Sequence, residues 1–255
     1  MFDLRTGKLT QLIDSATSYV LWSPSGDRLL SAYASNRSTR IVTRQVSDSA
    51  RPVHLMTVPG SHLVTEWLRG DTLISIAGGS SADVAILTVQ DSMRPKPYLQ
   101  APWPETQPRI APDHRYAVHM ALADGKITIY LREFPVPVGK WKVTDSGMDA
   151  RWSPDGRALY YWGRSLAGPS RSLYKVAING NTVSMDTPRL VGSYAVGSNP
   201  AYDIHPDGKR FVMGVQVGVS ANSTAETHHV IVNFVQEVNR LLVLKAKESK
   251  ATEKR

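Results

Sequence analysis

The chain has 255 residues, no cysteine, 42% hydrophobic residues and a formal net charge of +8. That length allows a large buried core, and the lack of cysteine excludes disulfides, thiolate metal sites and cysteine nucleophiles together. No apolar run approaches the roughly 18–20 residues of a membrane-spanning helix, and the start, Met1-Phe2-Asp3-Leu4, does not read as a signal peptide.

Residues 2–12 read as two short strands joined at Thr6-Gly7. A turn follows at Trp22-Ser23-Pro24-Ser25-Gly26-Asp27. It recurs as Trp67-Leu68-Arg69-Gly70-Asp71, Ala111-Pro112-Asp113-His114, Trp152-Ser153-Pro154-Asp155-Gly156 and His205-Pro206-Asp207-Gly208. The glycine slot falls at 26, 70, 114, 156 and 208, in steps of 44, 44, 42 and 52 residues. Proline presets φ for the second position of a type I turn, and aspartate suits the third. Glycine then takes the left-handed conformation that closes a three-residue hairpin with a bulge. His114 fills that slot in the third copy, and histidine is among the few other side chains that accept a positive φ. The second copy has lost the proline but kept the glycine.

Around each turn the aromatic and β-branched content predicts strands. Before the turns lie 19–22, 63–67, 107–110, 148–152 and 201–204; after them lie 29–33, 72–76, 116–120, 158–162 and 211–215. A third set follows at 40–46, 84–89, 126–131, 172–178 and 228–233, and a weaker fourth at 53–57, 97–100, 140–143 and 188–191. Four antiparallel strands per unit at this period is the pattern of a propeller blade. The expected fold is therefore all-β, a β-propeller of four-stranded antiparallel blades. Five repeats are visible, forming either a closed five-bladed ring or a fragment of a larger propeller. The longer last step is absorbed by polar insertions at 165–171 and 192–199. Starting in mid-blade favours truncation of a longer protein, although Leu9–Leu12 could supply the missing outer strand of the last blade and close the ring. Domain bounds are 1–234 for the propeller, 235–244 for a short amphipathic helix carrying Val235, Val238, Leu241 and Leu242, and 245–255 for a disordered basic tail.

Trp152-Ser153-Pro154-Asp155-Gly156-Arg157 with Leu159-Tyr160-Tyr161 resembles the WD40-like (PD40) repeat of TolB-type β-propellers, and the likeness extends over nearly the whole chain. The segment from Asp203 to Phe211, followed by Val230-Ile231-Val232-Asn233-Phe234-Val235-Gln236-Glu237-Val238, is similar to the terminal blade of propellers fused to bacterial eukaryotic-like serine/threonine kinases. Here Phe234 stands where that family has tryptophan. The second likeness implies the extracytoplasmic sensor part of a kinase, and hence a periplasmic or extracellular location.

Chemistry is sparse. Kinase loops are missing, and Asp113-His114-Arg115 occupies a turn slot instead. No Gly-x-Ser-x-Gly elbow occurs; Gly218-Val219-Ser220-Ala221-Asn222 fails at its last position. His228 and His229 are adjacent in a strand and point to opposite faces, so they do not share a metal. Trp22, Trp67 and Trp152 recur in one slot, which points to packing between blades. Asp149 and Asp203 fall on first strands, as a funnel-site lyase or glycosidase would need, but one carboxylate per blade is not a constellation. Trp103, between Pro102 and Pro104 in a connector, is the candidate for partner contact. Basic residues are scattered without interleaved aromatics, which argues against nucleic acid.

The resulting expectation is a monomeric, non-catalytic binding or sensor module without metal or cofactor. Its partner is a protein, peptide or cell-envelope ligand, held on a loop face or channel mouth. The alternative is the propeller of a prolyl-peptidase-like hydrolase, or a funnel-site enzyme.

Overall fold

The computed structural model describes residues 20–46, 51–78, 82–91, 94–123, 125–163, 170–179, 183–195, 201–216 and 228–230. The expected hairpin at 2–12, the helix at 235–244 and the tail at 245–255 lie outside the described residues. The chain divides into two compact units, residues 1–110 with 114–145 and residues 111–113 with 146–255.

The first unit holds three antiparallel sheets of four strands, each hydrogen-bonded in chain order. They are β1 (Leu21–Trp22), β2 (Arg28–Ala34), β3 (Ser38–Gln45) and β4 (Val53–Pro59); β5 (His62–Leu68), β6 (Thr72–Ala77), β7 (Val84–Thr88) and β8 (Lys96–Leu99); and β9 (Glu105–Ile110), β10 (Tyr116–Ala123), β11 (Lys126–Glu133) and β12 (Lys140–Thr144). Leu29, Leu30, Ser31 and Ala32 are buried in succession on β2, so this strand is covered on both faces rather than alternating in and out. Leu30, Ile41 and Met56 pack with Val64, Trp67 and Leu73 of the second sheet. Ile74, Val84 and Tyr98 pack in turn with Ile110 and Ala117 of the third. Each such aliphatic burial contributes about 1.5–3 kcal/mol. The third sheet ends on β12, where Lys140 and Lys142 blunt the free edge.

The second unit holds two sheets. One contains β13 (Gly147–Trp152), β14 (Ala158–Gly163), β15 (Ser170–Asn179), the two-residue β16 (Ser184–Met185) and β17 (Arg189–Ala195), with β16 and β17 both pairing β15. The other has three described strands, β18 (Tyr202–Ile204), β19 (Phe211–Gln216) and β20 (His228–Val230). All six residues of β14 are buried. Its core with the last sheet is aromatic: Tyr160 meets Phe211 edge-on at 5.1 Å, and Trp162 meets Tyr202 and Tyr194 at 5.4 and 5.9 Å. Part of the 192–199 insertion is thus strand, since β17 runs to Ala195.

The repeated turn adopts the expected left-handed slot: φ is 74° at Gly26, 70° at Gly70, 58° at His114, 69° at Gly156 and 68° at Gly208. The loop is longer than the expected three residues. Ser23 N donates to Arg28 O while Gly26 N donates to Ser23 O, and the same pair recurs at Ser153, Ala158 and Gly156, and at His205, Arg210 and Gly208. Four residues therefore stand between the closing pair. In each of these copies the returning amide finds a side-chain acceptor: Ser23 Oγ accepts from Arg28 at 3.0 Å, Ser153 Oγ from Ala158 at 2.9 Å, and Asp207 Oδ1 from Arg210 at 3.2 Å.

Packing between blades holds for Trp67, which joins the core shared with the preceding sheet. Trp67 and Trp152 are 7% and 9% exposed, but Trp22 is 50% exposed. Arg28 of the preceding sheet lies 4.9 Å over the Trp67 ring.

Candidate functional site

Inner strands carry a second regularity. Each of β5, β9 and β13 holds one extra residue relative to its partner strand, around Thr65, Gln107 and Asp149. Gln107 and Asp149 take φ of 51° and 48° there. Such bulges re-aim the following side chains, and a charged residue follows in each case. In the first unit, Glu66 Oε2 accepts the Ile110 amide at 2.7 Å, with Arg109 Nε 3.9 Å from Oε1. In the second unit, Arg151 lies 3.4 Å from Asp149 and 3.7 Å from Asp203. The two carboxylates considered for a funnel site do come together, but they do so on one guanidinium. They act as a bracket between neighbouring sheets.

Glu105 and His119 form a buried pair in the first unit that the sequence did not mark. Their nearest atoms are 3.9 Å apart and their side chains are 3% and 0% exposed. Glu105 Oε2, both His119 ring nitrogens, Thr106 Oγ1 and Asp83 Oδ1 are buried without a hydrogen-bond partner. Burial, with the Arg132 and Lys140 charges, depresses His119 to about 3, while burial raises the Glu105 carboxyl. The spacing alone would suit an ion pair, but the ring is neutral at neutral pH, so the contact is polar rather than ionic. With so little exposed area, neither group is placed to meet a substrate.

The second unit carries a groove of about 460 Å³ between the fourth and fifth repeat turns, a volume in the range of ligand clefts. Ala158, Ala177 and Tyr160 line it together with Asp155, Arg157, Lys175, Asp207 and Lys209. Both carboxylates serve the turns. Asp155 accepts from Ser153 Oγ at 2.6 Å and the Arg157 amide at 3.1 Å; these bonds hold it below the usual carboxylate range. Asp207 accepts the Lys209 amide at 2.8 Å and Arg210 Nε at 2.6 Å, and the amide bond foremost holds it lower still. The cations differ: among the described residues, Arg157, Lys175 and Lys209 have no carboxylate within ion-pair distance.

Trp103 lies in the connector between β8 and β9, as the sequence indicated, and is half-buried, with Lys140 Nζ 5.9 Å above its ring. His62 is buried against Ser75 Oγ at 3.0 Å, and His205 contacts Asp207 within its turn at 3.2 Å. Among the described residues no three His, Asp or Glu side chains converge as metal ligands. No helix among those residues is long and apolar enough to cross a membrane.

Neither a protein-family model nor a curated protein sequence matches the chain. Solved structures do. An oligogalacturonate lyase in complex with manganese superposes with a TM-score of 0.59 at 17% identity, over 89% of this chain and 68% of that one. The β-propeller domain of Cps50 (Swd1) from Myceliophteria thermophila gives 0.54 at 13% identity, over 88% and 75%. TolB from Acinetobacter baumannii gives 0.53 at 12% identity, over 77% and 50%. The chain is thus all-β, with sheets that resemble propeller blades. At these identities the likeness is one of fold, and the chain spans half the length of that TolB.

Proposed function

We propose that this chain is a non-catalytic binding module for a protein or peptide ligand, the extracytoplasmic sensor part of a larger signalling protein such as a serine/threonine kinase. The groove between the fourth and fifth turns carries the reading. It is concave and of ligand size, yet both of its carboxylates are held ionised by turn hydrogen bonds. Glycoside or lyase-type chemistry by paired carboxylates needs one group raised to act as an acid. Asp149 and Asp203 are engaged on Arg151 instead. The kinase assignment rests on the C-terminal likeness. Trp103 is a second contact point in this proposal, through the exposed part of its ring.

A random peptide library displayed on phage and panned on the immobilised full chain tests this. The reading expects enriched peptides that bind saturably and are recovered intact, by mass spectrometry, after prolonged incubation. Failure to enrich any peptide contradicts it. So does cleavage of an enriched peptide, or conversion of oligogalacturonate, in the presence of manganese, to unsaturated products.

A further inference from the structure

The residue after the turn glycine occupies an equivalent place in every repeat: Asp27, Asp71, Arg115, Arg157 and Lys209. Where it is acidic, the fold uses it. Asp27 accepts from Ser23 Oγ at 2.9 Å. Asp71 accepts from Trp67 Nε1 at 3.0 Å and pairs with Arg28 of the preceding sheet at 3.4 Å. In the fourth and fifth copies the same place is basic, and among the described residues no hydrogen bond or ion pair engages either side chain. Arg157 and Lys209 are exposed and face the same groove. The repeat accounts for the position but not for these two charges.

Lys175 adds a third. It stands opposite Tyr160 on β14, with Nζ 5.3 Å from the ring centroid, and opposite Arg189 on β17. Like charges directly across a sheet are destabilising, so the Arg189 pairing does not explain the choice. One groove carboxylate, Asp207, is already neutralised by Arg210, so cations dominate the rim. Beneath them, Ala158, Ala177 and the Tyr160 ring form a mainly apolar floor.

We infer that this groove binds a short acidic peptide segment, whose carboxylates meet Arg157, Lys175 and Lys209 and whose apolar side chains rest on the floor. This deepens the binding reading above and depends on it. The three cations come from two turns and a strand rather than converging on one point. That spread suits carboxylates along a chain better than one small anion, which wants clustered donors. Charge complementarity of this kind governs encounter rate and specificity.

The test titrates a fluorescein-labelled peptide of alternating glutamate and leucine against the full chain by fluorescence anisotropy. Saturable binding is expected, weakened by added salt because exposed charges are screened. The glutamine–leucine peptide should bind about tenfold more weakly or worse. Arg157→Glu/Lys209→Glu and Lys175→Glu should each lower affinity by about tenfold or more, with circular dichroism unchanged. Lys96→Glu/Lys126→Glu makes the same change in net charge as the double variant at exposed sites of the first unit and should bind as the parent does. Equal weakening by that control overturns the site in favour of general attraction to a basic chain. Displacement by inorganic phosphate at matched ionic strength reduces the site to a simple anion site and overturns the peptide assignment. If library peptides bind but neither groove variant affects them, this inference fails while the binding-module reading stands.

Discussion

Replacing Trp162 by alanine is expected to cost the second unit about 3–5 kcal/mol. The indole is fully buried, and it meets the edges of both Tyr194 and Tyr202, so its loss removes the largest buried side chain and two aromatic contacts. Domains are stable by only about 5–15 kcal/mol, so the urea midpoint should fall far and the amides of β13–β15 should lose hydrogen-exchange protection. Trp162→Phe should recover part of the loss, since a ring remains to meet the two tyrosines. An unfolding free energy lowered by less than about 1 kcal/mol would show that the aromatic cluster does not hold this unit together.

The second large effect is acid sensitivity of the first unit. His119 is held at about 3 in the folded chain, against about 6.5 when unfolded. Between those values the unfolded state binds a proton that the folded state refuses. Stability therefore falls as pH drops from about 6.5 toward 3, by up to about 1.4 kcal/mol per pH unit. Glu105 acts in the opposite sense. Its folded value is raised, so its contribution is present below the unfolded value and is lost as pH rises through the folded one. The steepest loss thus belongs above the carboxyl range, where His119 acts together with His62, whose ring burial also holds below its ordinary value. Urea midpoints measured from pH 7 to pH 5 should decline in the parent, less steeply in His119→Leu, and stay nearly flat only when His62 is replaced as well. Parallel declines would place the acid response elsewhere.

Much of the fold is written in the turns. Pro24, Pro154 and Pro206, with glycine or His114 in the positive-φ slot, announce the hairpins because backbone sterics admit few alternatives there. The serine before the proline carried information that composition alone does not convey. Its hydroxyl accepts the returning amide of the four-residue loop in the first and fourth copies, a part taken by Asp207 in the fifth, where histidine stands in the serine place. Trp22 shows a different limit: one sequence slot is half exposed at Trp22 but buried at Trp67, where Arg28 lies over the ring.

The site was less legible. Pro104-Glu105-Thr106 has no apolar alternation and precedes the strand expected at 107–110, yet β9 begins at Glu105 and buries it opposite Ala121. No local pattern predicts that an acidic residue will lie against His119, fourteen residues on in sequence. Lys175 is likewise an ordinary strand lysine until folding lines it up with the fourth and fifth turns in one groove. What the sequence did offer was the contrast within the repeat. The place after the glycine is acidic in the first two copies and basic in the last three, and the unpaired members of that series mark the groove.

Hydrogen exchange of the full chain, with and without the glutamate–leucine peptide, addresses the binding claim most directly. Occupation of the groove predicts added protection at residues 153–158, 175–177 and 206–209. Protection confined to the Trp103 connector, or no change in any segment, would contradict the account.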